Sequence, residues 1–245
     1  ASHPVWLITN GTLNSEIDFK NCRYVVLWGS QLGHIINTIA LNAASELADR
    51  RRQGAKLLVI DPFCSNAAAK ADEWLPVKVG TDGALALAML SVMVNELGIY
   101  DIPFLKTQTN GPYLVGHDGH YIRDKRSGQP LVWDLSDEQS KAYDADGLDD
   151  PAIEGHYTVG DVECRPSFQV LKKHLSQIDV EEMSRICTIP AHQIRRVTKE
   201  FCEAANIGGT IEIDGHQLPL RPAGIDYKRG TTAHKGGFNS CFAIH

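Results

Sequence analysis

Two short runs, Tyr24-Val25-Val26-Leu27-Trp28 and Lys56-Leu57-Leu58-Val59-Ile60, bracket a helical pattern, and this triplet constrains the fold more than any other feature. Each run is almost wholly apolar and too short for a helix, as a strand buried on both faces should be. Between them a helix is expected from about His34 to Arg52, with Ile36, Ala40, Ala43, Ala44 and Leu47 on one face. Arg50, Arg51 and Arg52 suit its last turn and Gly54 its C′ position. Strand, crossover helix and strand make a βαβ unit with parallel strands. The expected fold class is therefore α/β, a dinucleotide-binding-like parallel sheet with crossover helices. An irregular insertion and a more helical C-terminal part should follow.

The turns after these strands carry the candidate chemistry. Gly29 and Gly33 let backbone approach a ligand, and Ser30 offers a hydroxyl ahead of a helix N-terminus, which suits a phosphate. Gly-Ser-Gln-Leu-Gly is not the G-x-G-x-x-G fingerprint, so a plain tight turn fits equally. Asp61 closes the second strand, where doubly wound domains hydrogen-bond a ribose; an Asx turn ahead of Pro62 is the alternative. A short helix over Ala67–Ala71 and a strand over Glu73–Val79 come next, the latter at a sheet edge because of Pro76. Gly80-Thr81-Asp82-Gly83 then opens a helix from Ala84 to Leu97, with Gly98 at C′. Asp82 is placed as its N-cap, or as a carboxylate accepting two N–H bonds from a purine edge.

Elsewhere the signals are thinner. Val5-Trp6-Leu7-Ile8 reads as a short strand. The chain falls into three stretches: 1–100 as the α/β part, 101–165 as an insertion of loops and short strands, and 166–245 as a helical part returning to the active-site domain. Within the insertion, His120-Tyr121-Ile122 and Leu131-Val132-Trp133 are expected strands, and His117, His120 and His156 read as polar surface. After Pro166, Phe168, Leu171 and Leu175 share a helix face. Helices should start near Val180 and at Pro190, the latter with Ile194, Val197 and Phe201 inward, and Ile207–Ile213 is a last strand. The loop Asp226–Gly237 holds Lys228, Arg229 and Lys235, which suit an anion, and His234, which suits proton donation near neutral pH.

Composition excludes several classes. The net charge of −6 disfavours nucleic acid, and the Arg195-Arg196 doublet is too short to rescue a helix-turn-helix reading. No apolar run is long enough for a membrane span. Six cysteines include no C-x-x-C pair, so no metal or cluster site is expected in this chain; buried reduced thiols are favoured over disulfides. No initiator Met precedes Pro4, and an apolar pattern stops at His245, so an internal piece of a longer protein is expected.

The run Asp61-Pro62, Ser65-Asn66, Ala68–Pro76 and Gly80–Leu85 resembles a run in molybdopterin oxidoreductases of the dimethyl sulfoxide reductase family. Tyr24–Ser30 is similar to that family's earlier nucleotide turn, and Arg229–Gly237 to a later loop near pterin and metal. The resemblance implies a bis(molybdopterin guanine dinucleotide) cofactor with molybdenum or tungsten. It implies Gly29 and Ser30 beside phosphate, Asp61 beside ribose, and Thr81 and Asp82 at guanine, with Gly80 also among the cofactor-binding residues. Arg229 and His234 fall in the catalytic environment of substrate or pterin. Phe63, Gln31 and Ala67 stand where the family usually has Arg, Asn and Thr. The resemblance further implies an iron–sulfur cluster and a metal ligand before this stretch, an iron–sulfur electron-transfer partner, a small-molecule substrate, and a periplasmic rather than cytoplasmic location. This stretch alone should be inactive. Two rivals remain: a nicotinamide-dependent dehydrogenase, and a metal-free electron-transfer or assembly relative of the same fold.

Overall fold

The computed structural model describes residues 2–31 and 38–245, with side chains from residue 42 in the second stretch. Gly33, His34 and Ile36 of the expected turn and helix start lie outside the described residues. The chain divides into two compact units, Ala1–Ile99 with Ile178–His245, and Tyr100–Gln177.

The first unit begins with α1 (Ser2–Asn10), β1 (Tyr24–Trp28), α2 (Thr38–Arg52), β2 (Lys56–Ile60), β3 (Glu73–Leu75) and α3 (Asp82–Ser91). The second holds α4 (Ile102–Gln108), β4 (Leu114–Gly116), β5 (Leu131–Asp134), β6 (Gln139–Ala142), β7 (Tyr157–Val159), β8 (Val162–Pro166) and α5 (Ser167–Leu175). The first unit resumes with α6 (Val180–Cys187), α7 (Ala191–Ala204), β9 (Thr210–Ile213), β10 (His216–Pro219), β11 (Ala223–Tyr227), α8 (Arg229–Thr232) and α9 (Gly237–Ile244).

The first unit is built on a parallel sheet in the order β11-β1-β2-β3. The alternation of β1 and β2 sorts the two faces. Tyr24, Val26, Trp28, Leu58 and Ile60 join the core that includes Val5, Leu85, Met89, Ile194 and Cys241. Val25, Leu27, Leu57 and Val59 turn the other way, onto Ala43 and Leu47 of α2. Such a strand needs no polar face, which is why both runs read as unbroken apolar sequence. Each fully buried aliphatic side chain contributes roughly 1.5–3 kcal/mol over an exposed one. β3 lies at the sheet edge, where the following Pro76 costs no ladder hydrogen bond.

Several expectations change. Val5–Ile8 is helical, not a strand. Val5 and Trp6 are buried while Leu7 and Ile8 are exposed, a one-sided pattern that alternation does not produce. The expected strand Glu73–Val79 stops at Leu75. The helix after Gly80 runs from Asp82, turns π-helical over Val92–Leu97, and ends at Gly98 with φ +64°. Its N-cap is Thr81, and Asp82 already lies inside the first turn, its carboxylate drawn away by Trp28. β11 is not foreshadowed by the sequence, because Gly224 and Asp226 break the apolar pattern that marks β1 and β2. The strand expected over Ile207–Ile213 forms only from Thr210 and pairs with β10 in a separate hairpin. Arg195 pairs with Glu96 and Glu181, and Arg196 with Glu73 and Glu200, so both cations of the helix-turn-helix candidate are committed internally. The cysteines are free and buried except for Cys64, which is exposed.

In the second unit β4, β8 and β7 form an antiparallel sheet, and β5 pairs with β6. His120–Ile122 makes only an isolated bridge through Tyr121. Leu171 is exposed, and α5 buries Phe168 and Leu175 instead. Ser167 N donates to Tyr113 O at 2.9 Å and Phe168 N to Gly111 O at 3.0 Å, which ties α5 into this unit. The boundary therefore falls after Gln177 and not after residue 165, as the return of helical pattern suggests. Asp134 of this unit is fully buried, and its carboxylate accepts from Ser136 N, Ser136 Oγ, Lys141 Nζ, Asp149 N and Asp150 N. The Lys141 ammonium, followed by these backbone and hydroxyl donors, holds the carboxyl far below its ordinary range against the cost of burial.

Candidate functional site

The turns after β1, β2, β3 and β11 open on one cleft of about 270 Å³. Ligands of open parallel sheets sit outside the carboxyl ends of the strands, where connections leave in opposite directions. Here that reversal lies at β1, which has β2 on one side and the late-arriving β11 on the other.

Gly29 and Gly230 form the bed of this cleft. Gly29 has φ +55°, and a Cβ on it would stand 2.8 Å from Gly230 Cα. A Cβ on Gly230 would stand 2.5 Å from Gly29 Cα. Gly230 N donates to Gly29 O at 3.0 Å, and Gly29 N donates to Ile60 O at 2.9 Å. The freedom of Gly29 thus serves the contact between two turns, and its own N–H is occupied.

Two buried carboxylates line the cleft, Asp61 and Asp82. Asp61 Oδ1 accepts from Phe63 N at 3.2 Å, the Asx turn, while the side chain still borders the cleft. Burial pushes its carboxyl above the ordinary range; the Phe63 N–H opposes that shift and the nearby Asp82 charge adds to it. Asp82 Oδ1 accepts from Trp28 Nε1 at 2.8 Å. Asp82 Oδ2 lies 3.6 Å from His234 Nε2. His234 Nδ1 donates to Lys235 O at 3.0 Å, and its buried Nε2 has no hydrogen-bond partner among the described residues. His234 and Asp82, assigned to different roles by the sequence, therefore meet at one place.

Other candidates sit differently. The Ser30 hydroxyl is buried and donates to Asp226. Lys228 Nζ pairs with Glu16 at 3.0 Å and Asp226 at 3.3 Å and lies over the Trp6 ring. Burial works to lower the Lys228 ammonium, but Asp226 and Glu16 outweigh it and hold it above its ordinary range. Gly80, at φ +79°, lines the cleft; Thr81 follows it, with its hydroxyl donating to Lys78 O at 2.6 Å. Arg229 is exposed beside Gly230, and neither it nor Lys235 has an ion-pair partner among the described residues. Gly230, Trp28 and Val79 are not singled out by the sequence. Trp28 carries a readable signal all the same, since an indole N–H on a strand buried on both faces needs an acceptor. Among the described residues no cluster of three or more His, Cys, Asp or Glu is arranged to hold a metal ion, and no single helix is long and apolar enough to cross a membrane.

A family model described as Molybdopterin oxidoreductase matches residues 6–140. The chain is 32% identical to a sulfite dehydrogenase chain of Allochromatium vinosum, over 93% of this chain and 25% of that protein. It is 29% identical to the alpha chain of perchlorate reductase from Dechloromonas aromatica, over 79% of this chain and 25% of that protein. It thus spans about a quarter of the length of these relatives. Among solved structures, acetylene hydratase from Pelobacter acetylenicus superposes with a TM-score of 0.57 at 21% identity, covering 99% of this chain and 22% of that one, a likeness of fold.

Proposed function

The chain belongs to the molybdopterin oxidoreductase family, and on that premise we propose that its cleft grips the guanosine end of a molybdopterin guanine dinucleotide. The observation that carries this reading is the pair of buried carboxylates at the ends of a parallel sheet. A carboxylate only accepts hydrogen bonds, so the complementary group must donate. Guanine presents two adjacent donors on one edge, and ribose presents hydroxyls. Adenine would set a ring nitrogen lone pair against the same carboxylate.

The residues fit the nucleoside better than the phosphates. In this reading Asp82, steadied by Trp28 Nε1 and faced by His234, takes the base, and Asp61 the ribose. Gly29 and Ser30 shape the turn, but the Gly29 N–H and Ser30 hydroxyl are already engaged. Arg229 and Lys235, without an ion-pair partner among the described residues, are the better candidates for phosphate or an anionic substrate. When bound, the molybdenum or tungsten pterin supplies the redox chemistry, and this chain's residues hold and orient it. In the whole protein we assign oxygen-atom or electron transfer on a small oxyanion or sulfur compound, with an iron–sulfur cluster before this stretch and an iron–sulfur partner protein. Asp82→Ala in the full-length enzyme should lower pterin and metal content after purification. Unchanged content would overturn the guanosine assignment.

A further inference from the structure

Phe63 and Val79 are large apolar residues on the rim of this cleft, and they are 60% and 75% exposed. Among the described residues no packing covers these apolar side chains, which stand beside a floor of carboxylates. The loop that carries Phe63 is otherwise well tied. Asp61 Oδ1 accepts from Phe63 N, Ser65 N donates to Phe63 O at 2.9 Å, and Ser65 Oγ accepts from Ala68 N at 3.2 Å. Both main-chain groups of Phe63 are thus held, and only its side chain is left over. The turn at Lys78–Thr81, closed by Thr81 N to Lys78 O at 3.1 Å, fixes Val79 in the same way.

We propose that Phe63 is the stacking platform of the cleft, and that Val79 extends its apolar rim, so that a flat heterocycle binds with its donor edge on the carboxylates and its face on the ring. This rests on the guanosine reading and adds to it the group that recognises the face of the base. A carboxylate distinguishes the edge but gains nothing from a ring's face. An aromatic side chain supplies that contact and is indifferent to the sugar and phosphates. Because the Asx turn joins Asp61 to Phe63, the platform moves with one of the carboxylates and not independently of it.

The test is calorimetric titration of the full-length protein, freed of cofactor, with GDP and, separately, with ribose 5-phosphate. Phe63→Ala should weaken GDP binding about tenfold, the loss expected for one base–aromatic stack. Phe63→Tyr should restore it, and neither change should alter ribose 5-phosphate binding. Asp82→Asn serves as the marker of the underlying reading. If Asp82→Asn weakens GDP while Phe63→Ala does not, the stacking role is overturned and the guanosine reading stands. Equal weakening of both ligands by Phe63→Ala also overturns stacking. Failure of the unaltered chain to bind GDP overturns both. Phe63 is exposed, so its replacement leaves folding intact, which circular dichroism verifies.

Discussion

Gly29 and Gly230 touch backbone to backbone across the turns that follow β1 and β11, with Gly230 N donating to Gly29 O. Neither tolerates a Cβ. Gly29→Ala combines left-handed backbone strain with a clash against main chain, and should cost about 2–4 kcal/mol. Gly11→Ala has similar φ but open space around it, and should cost only about 1 kcal/mol. Urea unfolding of the two variants checks this. Equal losses would show that conformation alone, not the contact, governs Gly29.

Trp28 and Asp82 form a second relationship of this kind. Trp28→Phe removes a donor to a buried carboxylate and should destabilise by about 1.5–3 kcal/mol. A double-mutant cycle with Asp82→Leu isolates the pair, and a coupling near zero would argue against the indole as its support.

Asp61 has the opposite character. Its folded carboxyl titrates above the ordinary value of 3.8, so the folded state holds the proton more tightly than the unfolded chain. Its ionisation therefore lowers stability as pH rises from that value through the folded pKa. Asp61→Asn should raise the melting temperature at neutral pH, and the gain should fade as pH falls towards 3.8. A gain that persists in acid would point to a cause other than charge.

For Asp134 the sign reverses. Lys141 and the surrounding donors depress its folded pKa, so it stabilises the Tyr100–Gln177 unit above the ordinary 3.8 and loses that contribution as pH falls below it. Asp134→Ala should raise amide exchange across β5 and β6, and the difference from the unaltered chain should shrink in acid.

Legibility follows how local each determinant is. β1 and β2 are bounded to the residue because burial on both faces writes itself into five consecutive side chains of β1 and four of β2. Asp61 and Asp82 read as ribose and purine candidates because strand ends and helix starts are local signals, and both line one cleft together with Gly80. The engagement of Ser30 by Asp226 is not legible, since it depends on β11 lying beside β1. The approach of His234 to Asp82 depends on the same late strand and the turns after it. In sequence, Phe63 is only an unusual residue in a familiar run; its exposure at the cleft rim is a fact of the folded loop.

The place of β11 beside β1 also has a consequence for synthesis. Tyr24 pairs with Ala223, so at about 5–20 residues per second the ribosome needs on the order of 10–40 s to deliver the second neighbour of β1. Throughout that interval one edge of an apolar strand stands open, the condition under which nascent chains pair with the wrong partner. The Tyr100–Gln177 unit is fully synthesised before β11 emerges. The cleft, which needs Gly230 against Gly29, is among the last features of the chain to form.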